Sequence, residues 1–264
     1  MRRDRPPGRY VRKSSYAAFV PDPLPPELPW TGSLVRSLSD ADRALGVLAG
    51  EGGRLPNPHL LIRPFVRREA ALSSRIEGTQ ATLGELLAAE AGAVVARSPE
   101  DLRDVANYVA ALEYGVSRLA SLPLSLRLVR ELHVRLMEGV RGGQATPGEF
   151  RRSQNWIGPA GCTLATAGYV PPPPEELGAC LAAWERFLHD RSLPPLAQIA
   201  LLHVQFEAIH PFVDGNGRIG RLLITLFLLV RELLPAPLLY LSAFLEATRA
   251  EYYARLLAVT RASD

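Results

Sequence analysis

Residues 210–221 read His-Pro-Phe-Val-Asp-Gly-Asn-Gly-Arg-Ile-Gly-Arg, and no other stretch so narrows what this chain can become. Pro211 lacks an amide proton and disfavours helix in the residue before it, so the apolar-periodic run Ile199, Leu202, Phe206, Ile209 is expected to stop at His210. Gly215, Asn216 and Gly217 tolerate positive φ, and their successive N–H groups can turn inward as an anion-binding nest, with a new helix opening directly after them. A helix N-terminus with Arg218 and Arg221 three apart on one face suits a chain of phosphates. Asp214 beside such an anion is repulsive unless a cation bridges the two, and Mg²⁺ (or Mn²⁺) is the cation usually held by one carboxylate plus phosphate oxygens. His210 is left without a phosphate role; an imidazole with an unperturbed pKa near ~6.5 suits a general base for an attacking hydroxyl. The bland alternative is a glycine-rich loop between helices, with two solvated arginines and a core histidine. Twelve positions with one coherent division of labour argue against it.

These residues match, without departure, the Fic family motif His-Pro-Phe-x-Asp/Glu-Gly-Asn-Gly-Arg-x-x-Arg. The chain resembles Fic-domain protein adenylyltransferases that carry an N-terminal inhibitory helix, and the resemblance covers most of it from about residue 55 onwards. It implies an all-α, multi-helix Fic fold with a small β-hairpin flap next to the active site. It also implies transfer of AMP from Mg-ATP to a Ser, Thr or Tyr hydroxyl of a target protein, the enzyme itself included. By motif position, His210 is then the base, Asp214 the metal ligand and Asn216 a contact to the transferred phosphate; Gly215 and Gly217 form the nest, and Arg218 and Arg221 hold the outer phosphates. Three readings stay open. Glu77 could orient water to remove AMP, the donor could be UTP or a phosphorylated metabolite, or the chain could be a non-catalytic nucleotide-sensing module.

Taken alone, Ser73 to Thr79 reads as an exposed helix end with Gly78 as its C-cap. The resemblance sharpens this: Ser73, Glu77 and Gly78 match the Fic inhibitory motif, whose glutamate pairs with the second motif arginine, here Arg221. A carboxylate on Arg221 occupies donors that a γ-phosphate needs and turns the α-phosphate away from in-line attack. Between Gly148 and Pro174 the helical period vanishes, which predicts a loop and a β-hairpin. Its unpaired edge could hold a target segment by strand addition. The resemblance places that flap at about 162–170, with Thr163, Thr166, Tyr169 and Val170 as target-docking residues. Tyr252 and Tyr253 fall where relatives carry tyrosines bordering the adenine, although core packing explains them about as well.

The remaining chain reads as a frame in three parts: an N-terminal arm and first helix (1–54), a helical region with the inhibitory motif (55–122), and the Fic core (123–264). Proline-rich residues 1–30 are expected to form an extended arm. Helices are expected at 39–50, 59–73, 81–91 and from Ser98 to about 119. The next, from Ser125, carries the stripe Leu128, Leu132, Leu136, Val140, leaves His133 on the surface, and ends at Gly139, Gly142 and Gly143. Later helices follow at 175–189, up to His210, after the motif until Pro235 and Pro237, and at 242–247 and 250–262.

Two cysteines, Cys162 and Cys180, make no disulfide framework and fit a reducing cytoplasm. Arg2, Arg3, Arg5 and Arg9 have no apolar run behind them, so this stretch is not expected to be a signal peptide, and Leu222–Val230 is too short to span a membrane. A net charge of +3 with both signs interspersed gives no basic stripe. A nucleic-acid partner would therefore need the winged-helix segment that many relatives carry, whereas this chain stops at Asp264. Apolar surface on the N-terminal helices leaves a homodimer open.

Overall fold

The structure is a computed structural model that describes residues 7–54, 58–139, 146–159 and 161–260. Among them lie two strands, β1 (Gly8–Arg12) and β2 (Ala17–Pro21), and ten helices: α1 (Gly32–Gly53), α2 (Pro58–Ile76), α3 (Leu83–Glu90), α4 (Pro99–Arg118), α5 (Leu126–Leu136), α6 (Pro174–Leu188), α7 (Pro195–Ile209), α8 (Asn216–Val230), α9 (Ser242–Ala247) and α10 (Arg249–Ala258). The fold is thus helical, as expected, but its small antiparallel sheet lies at 8–21 and not at 162–170, where the hairpin was expected. Two compact units emerge, each discontinuous in sequence: residues up to Pro29 with Glu149–Asn216 and the chain from Ala250, and Trp30–Gly148 with Gly217–Arg249.

In the first unit, α6 and α7 pack through Trp184 and Phe206, whose ring centroids are 5.6 Å apart. The Trp184 indole donates to the Leu202 carbonyl at 2.9 Å, so the polar edge of this buried ring is satisfied. Gln198, fully buried, donates to the Phe187 and Asp190 carbonyls and closes the C-terminal end of α6. The N-terminal arm does not run out singly but folds back on itself: Gly8–Arg12 and Ala17–Pro21 pair antiparallel, from Gly8 opposite Pro21 to Arg12 opposite Ala17. The prolines pointed away from a ladder, yet Pro7 precedes it and Pro21 occupies its last position, and Ala18, Phe19 and Val20 of β2 are buried.

In the second unit, Val105, Tyr108, Val109 and Leu112 of α4 form one buried stripe. Gly115 extends it where a side chain would not fit, since a β-carbon there would lie 2.9 Å from Leu226 and 3.0 Å from Leu132. Ser98 and Ser125 cap α4 and α5 as expected. α1 begins at Gly32 rather than near 39, because Thr31 accepts from the Leu34 amide as N-cap. α8 stops at Val230, before the prolines, where Glu232 takes a left-handed conformation (φ 56°). His133 is not a surface residue: it is 2% exposed, and its Nδ1 accepts from the Gly148 amide at 2.8 Å. Spacing placed it off the apolar stripe, but the chain at Gly148 packs against it. Val140, Gly142, Gly143 and Ala262, and with them Arg2, Arg3 and Arg5, lie outside the described residues.

Candidate active site

The motif runs from the first unit into the second between Asn216 and Gly217. Its first half begins where α7 ends. Pro211 cannot donate, and His210 turns the chain by taking a left-handed conformation, φ 48° and ψ 62°, as C-cap. A side chain in that region is strained by about 1–3 kcal/mol, so the surroundings must hold it there. The His210 Nδ1 lies 3.3 Å from the Glu207 carbonyl oxygen, which can only accept. That contact puts the proton on Nδ1 and leaves Nε2 as the ring's basic nitrogen.

The following loop folds on itself. Phe212 is fully buried beside Phe150, with centroids 5.2 Å apart. Asn216 uses both ends of its amide on Phe212, accepting from its N–H at 2.8 Å and donating to its carbonyl at 2.9 Å. It therefore staples a four-residue loop at the start of α8. Gly215 has φ 78°, as the nest requires. Gly217 does not need positive φ; it is the second residue of α8, and its value is the space it leaves. Asp214 is exposed, and its Oδ1 accepts from the Gly215 amide at 2.6 Å.

The second half carries the arginines, both nearly inaccessible to water. They share a helix face but engage different neighbours. Arg218 Nη1 lies 3.3 Å from Asp104 Oδ1 on α4. Arg221 donates Nε to the Ser73 hydroxyl at 2.9 Å and Nη2 to the Ser73 carbonyl at 2.9 Å, and Nη2 also reaches Glu77 Oε1 at 2.7 Å. The pairing expected for the inhibitory motif is therefore formed. Gly78, at φ 106°, ends α2 with its amide on the Arg75 carbonyl and so presents Glu77 just past the helix. Beneath this pair lies Glu69, 2% exposed, which accepts from the Ser242 amide at 3.0 Å and hydroxyl at 2.5 Å. Burial pushes its carboxyl up, against the Ser242 bonds and the nearby Arg221 charge.

The flap differs in detail from the expected hairpin. A single bridge joins Ile157 to Tyr169, with bonds of 2.9 and 3.0 Å, and closes the loop between them. Thr163 and Thr166 bond to each other in its exposed turn. Tyr169 and Val170 face inward: the Tyr169 hydroxyl donates to the Ala208 carbonyl at 2.6 Å, and Val170 is buried, with its carbonyl accepting from Phe19 at 2.8 Å. Of the two C-terminal tyrosines, Tyr252 is buried with its hydroxyl 2.9 Å from His203 Nε2, and Tyr253 is 40% exposed.

Two models of one family match the chain, Fic/DOC family N-terminal over residues 35–117 and Fic/DOC family over 123–228. The chain belongs to the Fic/DOC family. Among curated relatives, the protein adenylyltransferase Fic of Drosophila virilis is 35% identical over 144 residues, 52% of this chain and 27% of that protein. The Drosophila melanogaster relative of the same name is 32% identical over 163 residues, 58% of this chain and 30% of that protein. The chain thus spans less than a third of the length of these relatives. A solved Fic family protein from Desulfovibrio desulfuricans G20 aligns with a TM-score of 0.68 and 27% identity over 89% of this chain and 69% of that one. A Fic-domain signaling protein from Bacteroides thetaiotaomicron VPI-5482 aligns at 0.63 and 24% over 85% and 80%, which speaks for the fold alone.

Sequence reasoning missed three residues at this Fic site. Glu69 was the most accessible, because Glu69, Ser73 and Glu77 recur every four residues along one face of α2. Asp104 gave no local sign of its link to Arg218. Neither did Arg151, which reaches the His210 carbonyl across 59 positions of sequence.

Proposed function

We propose that this chain is a protein adenylyltransferase that moves AMP from Mg-ATP to a hydroxyl side chain of a target protein and is restrained by Glu77. The observation that carries the reading is the complete twelve-residue motif, with His210 hydrogen-bonded through Nδ1, in a chain related to proteins named protein adenylyltransferase. His210 Nε2 takes the proton from the target hydroxyl as its oxygen attacks the α-phosphorus. The bond to the β-phosphate breaks, and pyrophosphate leaves. Such sites act by positioning and charge stabilisation rather than by covalent catalysis. Gly215 and the opening of α8 would receive phosphate oxygens, while Arg218 and Arg221 would hold the outer phosphates.

The donor set suits a magnesium ion held mainly by the nucleotide. Asp214 offers an exposed carboxylate, and among the described residues no group of three or more His, Cys, Asp or Glu side chains could enclose a metal. When bound, the ion would neutralise the phosphate charge. Cys162 and Cys180 are free thiols, which suits a reducing cytoplasm, and no described helix is long and apolar enough to cross a membrane.

The test is incorporation of labelled AMP from α-labelled ATP with Mg²⁺ by the wild type, Glu77→Gly, and Glu77→Gly with His210→Ala. Low, high and no incorporation are expected. Silence from Glu77→Gly while ATP still binds would reject the restraint.

A further inference from the structure

The strained turn at His210 has a holder of its own. Arg151 is 3% exposed, and its guanidinium is spent on backbone carbonyls. Nε donates to the His210 carbonyl at 2.9 Å, Nη1 to Ser153 at 3.2 Å, and Nη2 to Pro172 at 2.6 Å and Ile209 at 3.3 Å. Its own amide donates to the Pro211 carbonyl at 2.9 Å. Three consecutive carbonyls, those of Ile209, His210 and Pro211, are thus bonded to one residue. Asn155 adds a second donor, reaching the Phe212 carbonyl at 3.0 Å and the His210 carbonyl at 3.4 Å. Among the described residues no carboxylate forms an ion pair with Arg151, so it is not held there as half of a salt bridge.

We propose that Arg151 is a positioning residue for His210: its guanidinium locks the left-handed peptide that ends α7 and thereby fixes where the imidazole points. This rests on the reading of His210 as the base. A helix end leaves its last carbonyls without intrahelical partners, and a cation there also meets the negative end of the helix dipole. A planar guanidinium can serve several carbonyls at once, which an ammonium cannot match at fixed geometry. Burial lowers the Arg151 pKa to about 10, so the group remains a charged donor at neutral pH. The bond to Pro172 carries the same hold to the far end of the flap segment.

The test compares Arg151→Lys and Arg151→Ala in the Glu77→Gly background. If Arg151 positions the base, kcat for AMP transfer falls on the order of 100-fold in both variants while KM for ATP changes less than about twofold. Added guanidinium should recover part of the rate in Arg151→Ala and none in Arg151→Lys. His210 ring signals, followed by NMR against pH in Arg151→Lys, should move from their wild-type positions. An unchanged kcat in a folded variant overturns the proposal, as does joint loss of activity, ATP binding and helicity with no recovery by guanidinium. If Glu77→Gly itself transfers no AMP, the assigned activity fails, and the His210 signals still decide: unmoved in Arg151→Lys, they overturn the positioning role.

Discussion

A β-carbon placed on Gly217 would collide with Oε1 of Glu77 and lie 3.0 Å from Nη1 of Arg221. The Glu77 carboxylate and a side chain at position 217 would therefore compete for the same space. Since Gly217 is helical, alanine there meets no backbone penalty and gains in helix propensity, so any loss passes through those two neighbours.

Gly217→Ala should accordingly destabilise the wild type by about 1 kcal/mol, the lower range for overpacking next to a side chain that can move. The cost should largely vanish when Glu77 is already glycine. A double-mutant cycle read by urea denaturation checks this, with a coupling of roughly 0.5–1 kcal/mol expected; strict additivity would mean that the two residues do not share the space.

Glu77→Gln keeps an acceptor for Arg221 but removes the charge. A charge-assisted bond is about twice as strong as a neutral one, a difference of about 1 kcal/mol. AMP incorporation should rank wild type below Glu77→Gln below Glu77→Gly, with the first step roughly fivefold. If glutamine activates as fully as glycine, charge alone sets the restraint.

Asp104→Asn removes the carboxylate 3.3 Å from buried Arg218, and Asp104 is only 24% exposed. A loss of about 1–3 kcal/mol is expected, below the range for a fully buried pair because water reaches the aspartate. If Arg218 also receives phosphate, Mg-ATP should raise the Tm of Asp104→Asn more than that of the wild type. Equal shifts would remove Arg218 from the phosphate site.

Acid stability should depend on Glu131 of α5, whose carboxyl is held at about 2, first by the Arg118 bond and further by Tyr114 and Arg127. Its folded pKa lies below its unfolded value, so the contribution is complete above roughly 4.5 and is lost as pH falls towards about 2. The side chain is 24% exposed, which reduces the expected contribution to on the order of 2 kcal/mol. Glu131→Gln should be less stable than wild type at neutral pH, and the gap should close below pH 3 in chemical denaturation.

Local chemistry made much of this legible. Pro211 forecast the end of α7, Gly78 the end of α2, and Ser98 and Ser125 the starts of α4 and α5, because each acts within a turn of its own position. The Glu77–Arg221 pair was reached only through family resemblance, since 144 residues separate its partners. What stayed hidden depends on distant segments returning. His133 is buried by the chain at Gly148, Arg218 is met by a different helix, and Arg151 works on a peptide far along the chain. The N-terminal hairpin was masked by its own prolines, which punctuate its ends and leave its ladder intact.

The loop closed by Ile157 and Tyr169 resembles a cantilever with a clamped root. Phe19 grips it at Val170, Ala208 at the Tyr169 hydroxyl, and Arg151 at Pro172. Thr163 and Thr166, at the exposed tip, bond to each other and take no part in the bonds at the root. The tip can therefore change in sequence while the bonds that hold the His210 turn stay as they are.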